Sequence, residues 1–221
     1  MSALTTPRAF AAFLVLLLFP FANSPAYAGT GGRTLPLRDA VAALPLSAED
    51  RTGYDRVSSY GRWIDIDKDG CRTRSEVLLE EAVVAPSRTG RCRLSGGRWF
   101  SWYDGSVVDG PRGLDIDHVV PLAESWDSGA SAWTRERRSA YANYLDDPRH
   151  LVAVTARSNR QKADRDPADW MPADPVQCRY AADWTAVKLS WGLSADMAER
   201  EALAGVAASC PNLPVRYAPA P

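Results

Sequence analysis

The segment most informative about the fold is Leu114-Asp115-Ile116-Asp117-His118-Val119-Val120-Pro121-Leu122. Apolar and polar residues alternate along it, which predicts a β-strand that stops at Pro121. The strand carries an Asp-His pair, Asp117 and His118, near its carboxyl end. Because the chain has only 2 histidines, the pair is a candidate for imidazole chemistry.

A second strand and a helix follow further along the chain. His150-Leu151-Val152-Ala153-Val154 predicts the strand, and Ser158-Asn159-Arg160-Gln161-Lys162-Ala163-Asp164 opens the helix. Ser158 and Gln161 have the spacing of a capping box, so we expect the helix to begin at Ser158 and to close at Asp166-Pro167. A strand-strand-helix order with a histidine first and an asparagine last suits phosphodiester cleavage at a single metal ion. That reaction needs a neutral base and hard oxygen ligands.

In these residues the sequence resembles the HNH endonucleases, or ββα-metal nucleases, in the form whose first motif is Asp-His. It looks closest to secreted bacterial members of that family. The flanking segments resemble the same group; they are Gly53-Tyr54-Asp55-Arg56, Gly70-Cys71-Arg72-Thr73-Arg74 and Asp166-Pro167-Ala168-Asp169-Trp170. The combination covers most of the chain that follows the N-terminal segment.

The resemblance implies a role for each residue of the motif. It makes Asp117 a metal ligand, His118 the general base and Asn159 the second protein ligand of a divalent cation. Magnesium is the expected ion, with manganese or another divalent ion left open. His150 occupies a position where the family usually has an asparagine that braces the loop of the base; a histidine there can brace the loop or bind metal.

Basic residues of the predicted helix are candidates for phosphate binding. A solvated helix face is an equally good interpretation of them, because exposed helix faces are commonly charged. The candidates are Arg157, Arg160 and Lys162.

The first 28 residues have the three parts of a secretory signal. Arg8 precedes an apolar run that is too short to span a bilayer, and Ala26-Tyr27-Ala28 is a small-residue cleavage site. We therefore predict a secreted, extracellular protein with no membrane association after cleavage. The formal net charge of −1 excludes a polycationic coat as the basis of function, so any attraction to nucleic acid must be local.

Four cysteines in an exported chain suggest two disulfides among three possible pairings. Proximity in sequence favours Cys71–Cys92 and Cys178–Cys210. The spacings do not match a zinc ribbon or finger.

The domain organisation is predicted to be simple. Residues 29–36 form a flexible leader, and 37–221 form one HNH endonuclease domain whose ββα-metal core lies at about 114–166. The fold class is α+β, a mainly helical single domain stabilised by disulfides, and we expect a monomer. Glycines in 96–113 predict a loop-rich stretch, while 73–84, 133–145, 180–191 and 194–209 predict helices.

An acidic loop is a second candidate site. Asp65, Asp67, Asp69 and Glu76 have the spacing of an EF-hand calcium loop. The scaffold is atypical, because Arg72 occupies a position that is normally apolar and no clean helix runs into the loop. Calcium binding here and a plain Asp-Gly turn are both open.

The sequence thus predicts a secreted, metal-dependent endonuclease that hydrolyses DNA, with RNA left open, at low sequence specificity. No separate DNA-reading module is visible. The alternative is an extracellular calcium-binding or interaction protein on an inactive nuclease fold. Metal-dependent cleavage of nucleic acid distinguishes the two.

Overall fold

The computed structural model describes Met1 and residues 31–221. The signal predicted for residues 1–28 therefore lies, apart from Met1, outside the described residues. The leader prediction is wrong from Arg33 onward, because strand β1 (Arg33–Pro36) pairs antiparallel with β8 (Pro214–Tyr217). This ladder fastens the start of the described chain to its end, and Leu35 packs against the main core.

The rest of the described chain forms helices and short strands, mostly in runs of one kind. The helices are α1 (Leu37–Ala42), α2 (Arg56–Tyr60), α3 (Thr73–Glu80), α4 (Leu122–Asp127), α5 (Arg135–Ala142), α6 (Ala156–Lys162), α7 (Gln177–Trp191) and α8 (Met197–Ser209). The remaining strands are β2 (Ser87–Thr89), β3 (Arg93–Ser95), β4 (Arg98–Ser101), β5 (Ser106–Asp109), β6 (Leu114–His118) and β7 (Leu151–Thr155). This is a mixed, mainly helical architecture. Within residues 31–221 no helix is both long and apolar enough to cross a membrane.

A β-β-α unit lies at the centre of the chain. β6 and β7 are antiparallel, with Leu114 opposite Thr155 and His118 opposite Leu151. Helix α6 follows β7 without a loop and packs against both strands. The order of elements predicted for this region is therefore present.

Helix α6 begins two residues earlier than the capping-box spacing predicts. The Thr155 side chain is the N-cap and accepts a hydrogen bond from the Ser158 backbone amide at 3.2 Å. Threonine at the end of a strand competes with Ser158 for the capping role, and the strand end fixes the outcome. The helix also ends earlier than predicted, at Lys162, because Ala163 adopts a positive φ of 53°.

Two hydrophobic clusters hold the unit in place. Leu114 and Ile116 on one face of β6 pack with Leu151 and Ala153 of β7 in the smaller cluster, which also contains Trp99. The opposite face of β7 packs into the main cluster with aromatic side chains from α5 and α7. Because side chains alternate along a strand, Asp115 and Asp117 lie on the face opposite Leu114 and Ile116.

Both predicted disulfides are confirmed. Cys71–Cys92 joins the residues before α3 to the β2–β3 hairpin, and Cys178–Cys210 joins the start of α7 to the end of α8. No cysteine is left free. Each bridge closes a loop and so reduces the entropy of the unfolded chain.

The stretch predicted to be loop-rich contains a β-hairpin instead. Strands β4 and β5 pair from Arg98 opposite Asp109 to Ser101 opposite Ser106. Trp99 anchors the hairpin, because its ring is buried and its indole N–H donates to the Leu78 carbonyl at 2.7 Å. The glycines lie in the turns at each end of the ladder, so their density does not exclude short strands between them.

Candidate active site

Asp117 and His118 share one cleft. Adjacent residues of a regular strand face opposite sides, but β6 ends at His118 and Pro121 then leads into α4. Both side chains line a cleft of about 430 Å³ that Asn159 of α6 also lines. The three residues of the predicted motif are therefore brought together.

The imidazole of His118 is held in one orientation. Its Nε2 atom lies 3.0 Å from the carbonyl oxygen of Ala142 at the end of α5. A carbonyl can only accept, so Nε2 carries the proton and the neutral ring has its lone pair on Nδ1. The Trp63 ring stacks on the imidazole at 5.2 Å with an interplanar angle of 5°. This arrangement leaves Nδ1 as the nitrogen that can accept a proton.

The surroundings keep His118 neutral. Burial disfavours the imidazolium and lowers the pKa of His118 well below its usual value of 6.5, and His150 and Arg56 lower it further. A hydrogen bond to the Ala142 carbonyl acts in the opposite direction but does not compensate. His118 is therefore a neutral base at pH 7.

His150 acts on the same helix end as His118. Its Nε2 atom donates to the Tyr141 carbonyl at 2.7 Å, next to the Ala142 carbonyl that His118 uses. Its own backbone carbonyl accepts from the Val119 amide at 3.0 Å. His150 is 1% exposed, and its Nδ1 atom is buried with no hydrogen-bond partner among the described residues. Burial lowers the pKa of His150 to about 4.

Asp117 is held by two donors. The Lys162 ammonium lies 3.0 Å from Oδ1 and 2.9 Å from Oδ2, and the Tyr103 hydroxyl donates to Oδ2 at 2.6 Å. Lys162 also donates to the His118 carbonyl oxygen at 2.9 Å and is 0% exposed. The prediction that Lys162 binds phosphate is therefore wrong, since its charge is consumed by a buried ion pair.

Asn159 lies at the open side of the unit. Its amide nitrogen donates to Asp115 Oδ2 at 3.2 Å, which leaves its carbonyl oxygen as the acceptor of the group. Arg160 is mostly exposed, lies 3.5 Å from the same Asp115 oxygen and lines the cleft. Arg157 is exposed and lies outside the lining of this cleft. Of the two arginines, only Arg160 is placed beside the motif.

The donor chemistry of the cleft fits a hard divalent cation. Asp117 and Asn159 offer carboxylate and amide oxygens, which are the ligands that magnesium prefers. Each carboxylate oxygen has two lone pairs, so the bonds from Lys162 and Tyr103 leave Asp117 with capacity for a ligand bond.

A cleft with arginines continues on the other side of His118. It measures about 510 Å³ and shares Arg56, His118 and Leu122 with the first cleft. Its basic lining residues are Arg56, Arg62, Arg72 and Arg74. Within residues 31–221 none of the four makes a salt bridge. The exposed guanidinium groups of Arg56, Arg62 and Arg72 are therefore available to an anion, whereas Arg74 Nη2 donates to the Leu114 carbonyl at 2.9 Å.

The acidic loop folds as a tight turn before α3. Asp65 Oδ2 accepts from the Gly70 amide at 3.0 Å, and Asp69 pairs with Arg88 at 3.0 Å. Asp65, Asp67 and Asp69 each present an oxygen within 4.8 Å of the others. Helix α2 ends at Tyr60, so the loop lacks an entering helix, as the sequence suggests. Calcium binding there stays a prediction.

Several residues that the sequence reasoning assigned no role form part of the site. Tyr103 orients Asp117, Trp63 stacks on His118, and Arg56 lies between the two clefts. Arg56 belongs to a flanking segment that carries the family resemblance, which was a usable signal. Tyr103 and Trp63 gave none, because an aromatic residue in a loop is more often part of a core.

Comparison with known proteins supports the nuclease resemblance. Residues 85–206 match the family described as GmrSD restriction endonucleases, C-terminal domain, which is more than half of the chain. This chain belongs to that family. The matched range includes the whole β6–β7–α6 unit, so the Asp-His and Asn residues lie inside the family's domain.

A relative also matches in sequence. An uncharacterized secreted protein of Arthroderma benhamiae is 39% identical over 177 residues, covering 79% of this chain and 83% of the relative. No solved structure matches. Membership in an endonuclease domain family supports a nuclease whose substrate is nucleic acid.

Proposed function

We propose that the protein is a secreted HNH-type endonuclease that hydrolyses phosphodiester bonds of DNA with low sequence specificity; whether it also cuts RNA is part of the test. The observation that carries the proposal is the geometry of His118. Its Nε2 atom is fixed on the Ala142 carbonyl, which leaves Nδ1 to accept a proton, in a cleft that Asp117 and Asn159 also line.

In this proposal His118 takes a proton from the attacking water through Nδ1. The Ala142 carbonyl and the stacked Trp63 ring hold the imidazole in place during that transfer. Asp117 and Asn159 would hold the divalent cation, with magnesium expected. When bound, the cation supplies charge stabilisation at the phosphate.

His150 is a positioning residue in this scheme. It fixes the Tyr141 carbonyl, and thereby the helix end on which His118 rests. It does not need to touch substrate or metal, because its ring is enclosed by Tyr141, Tyr144 and Trp191.

The arginines around His118 supply the contact with the nucleic-acid backbone. Arg62 and Arg72 line the cleft on one side of the base, Arg160 lines the cleft on the other side, and Arg56 lines both. Guanidinium groups bind phosphate oxygens, and such contacts carry little sequence information. Low sequence specificity follows. The net charge of −1 is compatible with this because the attraction is confined to one groove.

Export is proposed on three grounds. They are the signal-like first 28 residues, the two disulfides and the secreted relative. Disulfides persist in oxidising compartments.

The test is cleavage of supercoiled plasmid and of single-stranded RNA by the oxidised mature chain in Mg²⁺ or Mn²⁺, with and without EDTA. We expect nicking that EDTA abolishes. Asp117→Asn and Asn159→Ala should raise the metal concentration needed for half-maximal rate. Asp109→Asn, an exposed carboxylate on β5, is the matched control and should not change it.

A chain that cuts neither substrate in any divalent ion contradicts the proposal. The result would favour the alternative, an extracellular calcium-binding or interaction protein on an inactive nuclease fold. Cleavage that continues in EDTA would contradict only the metal requirement.

A further inference from the structure

A third and larger cleft adjoins the arginine-lined cleft. It measures about 850 Å³ and shares Gly61 and Arg62 with its neighbour, so the two are continuous. The cleft lies between the extended segment 62–66 and helix α5. A strand bound with its reacting phosphate at His118 and running past the arginines would reach this cleft next.

The segment 62–66 presents an unusual surface to the cleft. Its exposed residues alternate, so that Arg62, Ile64 and Ile66 line the cleft while Trp63 turns toward His118. Ile64 and Ile66 are 45% and 55% exposed. These two solvent-exposed isoleucines give this wall of the cleft an apolar surface.

The opposite wall is one face of α5 and the residues after it. The cleft is wide there because the helix presents the small side chains of Ser139 and Ala140. Tyr144 adds a partly buried ring at the end of the wall.

The cleft is formed before any ligand arrives, because Asn143 joins its two walls. The Asn143 carbonyl oxygen accepts from the Ile64 amide at 3.0 Å, and its amide nitrogen donates to the Ser139 carbonyl at 3.0 Å. Asn143 is 1% exposed, so this clamp is shielded from water.

The charges of the two connected clefts differ in sign. The smaller cleft is lined by arginines, whereas the larger one contains more carboxylates than cations. Its charged lining residues are Arg62, Arg135, Asp67, Glu76, Glu136 and Asp146. A phosphate backbone is therefore attracted to the first cleft and repelled from the second. A neutral group with an apolar face and N–H donors suits the second.

We propose that this cleft binds an unpaired nucleobase of the substrate strand, next to the phosphodiester held at His118. The inference rests on the proposed nuclease function and adds a substrate preference to it. Carboxylates accept hydrogen bonds from exocyclic amino groups, and apolar side chains pack against the faces of a turned-out base. A base in a double helix is stacked and paired, so it cannot enter unless it is turned out. The enzyme therefore prefers single-stranded or locally unpaired nucleic acid.

The test is fluorescence anisotropy with the full mature His118→Ala chain in EDTA, which binds without cutting. The probes are a labelled single-stranded DNA oligonucleotide and its blunt duplex at one salt concentration. We expect tighter binding of the single strand. Ile64→Ala with Ile66→Ala removes apolar contact and should weaken single-strand binding by about tenfold and leave duplex binding within about twofold.

The matched control is Val83→Ala with Val107→Ala, two exposed apolar residues outside the cleft lining. It should change neither affinity, and thermal unfolding verifies that both double variants are folded. Equal binding of single strand and duplex, or an isoleucine double variant no weaker than the control, overturns the proposal. Failure of the nuclease function itself differs from this, because then plasmid cleavage is absent whichever form of DNA binds.

Discussion

The β6–β7–α6 unit and the acidic loop of residues 65–76 both place carboxylates beside a cleft. They differ in how far those carboxylates are paired with hydrogen-bond donors and cations. In the unit, Asp117 is paired with the buried ammonium of Lys162 and with Tyr103. In the loop, Asp65 Oδ1 and Glu76 Oε1 are buried with no hydrogen-bond partner in the described part of the chain.

The difference separates two ways of building an acidic site. In the unit the Lys162 ammonium already neutralises Asp117, so the carboxylate is held in place before any metal binds. The loop is only partly compensated, through the contact of Arg88 with Asp69. Burial and then Asp69 and Asp67 raise the pKa of Glu76. A cation should therefore change the stability of the loop more than that of the unit.

The largest effect is expected at the base of the unit. His118→Ala should lower the cleavage rate by about 10² to 10⁴ while retaining metal and nucleic-acid binding. Steady-state rates and anisotropy on the same preparation measure both. Wild-type cleavage by this variant would remove His118 from the mechanism.

The next effect concerns the internal cation. Lys162→Met leaves the Asp117 carboxylate buried with only Tyr103 as a donor, and breaking a buried pair costs about 3 to 5 kcal/mol. Urea unfolding of the oxidised chain in EDTA measures this loss. Arg165→Met, an exposed cation just after α6, is the control and should stay within about 0.5 kcal/mol of wild type. Equal stabilities for the two variants would show that the Lys162–Asp117 pair does not stabilise the unit, which would contradict the difference drawn between unit and loop.

The sequence predicts the strands of the unit better than it predicts the contacts between their side chains and those of α6. Strand alternation, the apolar run of β7 and the position of Pro121 are local signals, so β6 and β7 are found. The role of Lys162 is not local. A lysine on a polar helix is indistinguishable from a solvated one until the partner strand is placed beside it.

The difference between local and non-local signals also explains where the rest of the structure agrees with the sequence prediction and where it does not. The β1–β8 ladder joins chain segments that are far apart in sequence, and a short strand near a terminus has the composition of a leader. Glycines in the turns of the β4–β5 hairpin obscure its strands in the sequence. The disulfides are predictable because each bridge links two consecutive cysteines of the chain.

The pH dependence of cleavage sharpens the description of the unit. The base must be neutral, and an unperturbed imidazole would titrate near 6.5. Because burial lowers the pKa of His118 well below that value, cleavage should stay constant as the pH falls through 6.5 and decline only at lower pH. Rates at saturating metal across this range measure it. A midpoint at or above 6.5 would contradict the buried, neutral base.

His150 should affect stability more than rate. Its pKa is about 4 in the folded chain and about 6.5 when unfolded, so its contribution is complete above 6.5 and is lost as the pH falls toward 4. At 1.36 kcal/mol per pH unit the loss reaches about 3 kcal/mol. His150→Asn keeps an amide donor for the Tyr141 carbonyl and cannot titrate, so its stability should fall less over this range. Urea midpoints at several pH values compare the two chains; parallel curves would contradict the assignment.

The smallest effect is expected in the acidic loop, if it binds calcium as its spacing predicts. Extracellular calcium modules bind at about 10⁻⁴ to 10⁻³ M. Millimolar calcium would then add about 1 kcal/mol by mass action, which raises Tm by roughly 2 to 4 °C.

Thermal unfolding in EDTA, Ca²⁺ or Mg²⁺ measures this shift. Asp67→Ala should remove the response to calcium while Mg²⁺-dependent cleavage persists, because Asp67 lies outside the cleft of Asp117 and Asn159. Asp109→Ala removes an exposed carboxylate elsewhere and should keep the response. A wild-type chain whose Tm and calorimetric titration are both unchanged by calcium would leave 65–76 as a turn. The buried oxygens Asp65 Oδ1 and Glu76 Oε1 would then be hydrogen-bonded to water. The weaker charge compensation of the loop would not indicate a metal site.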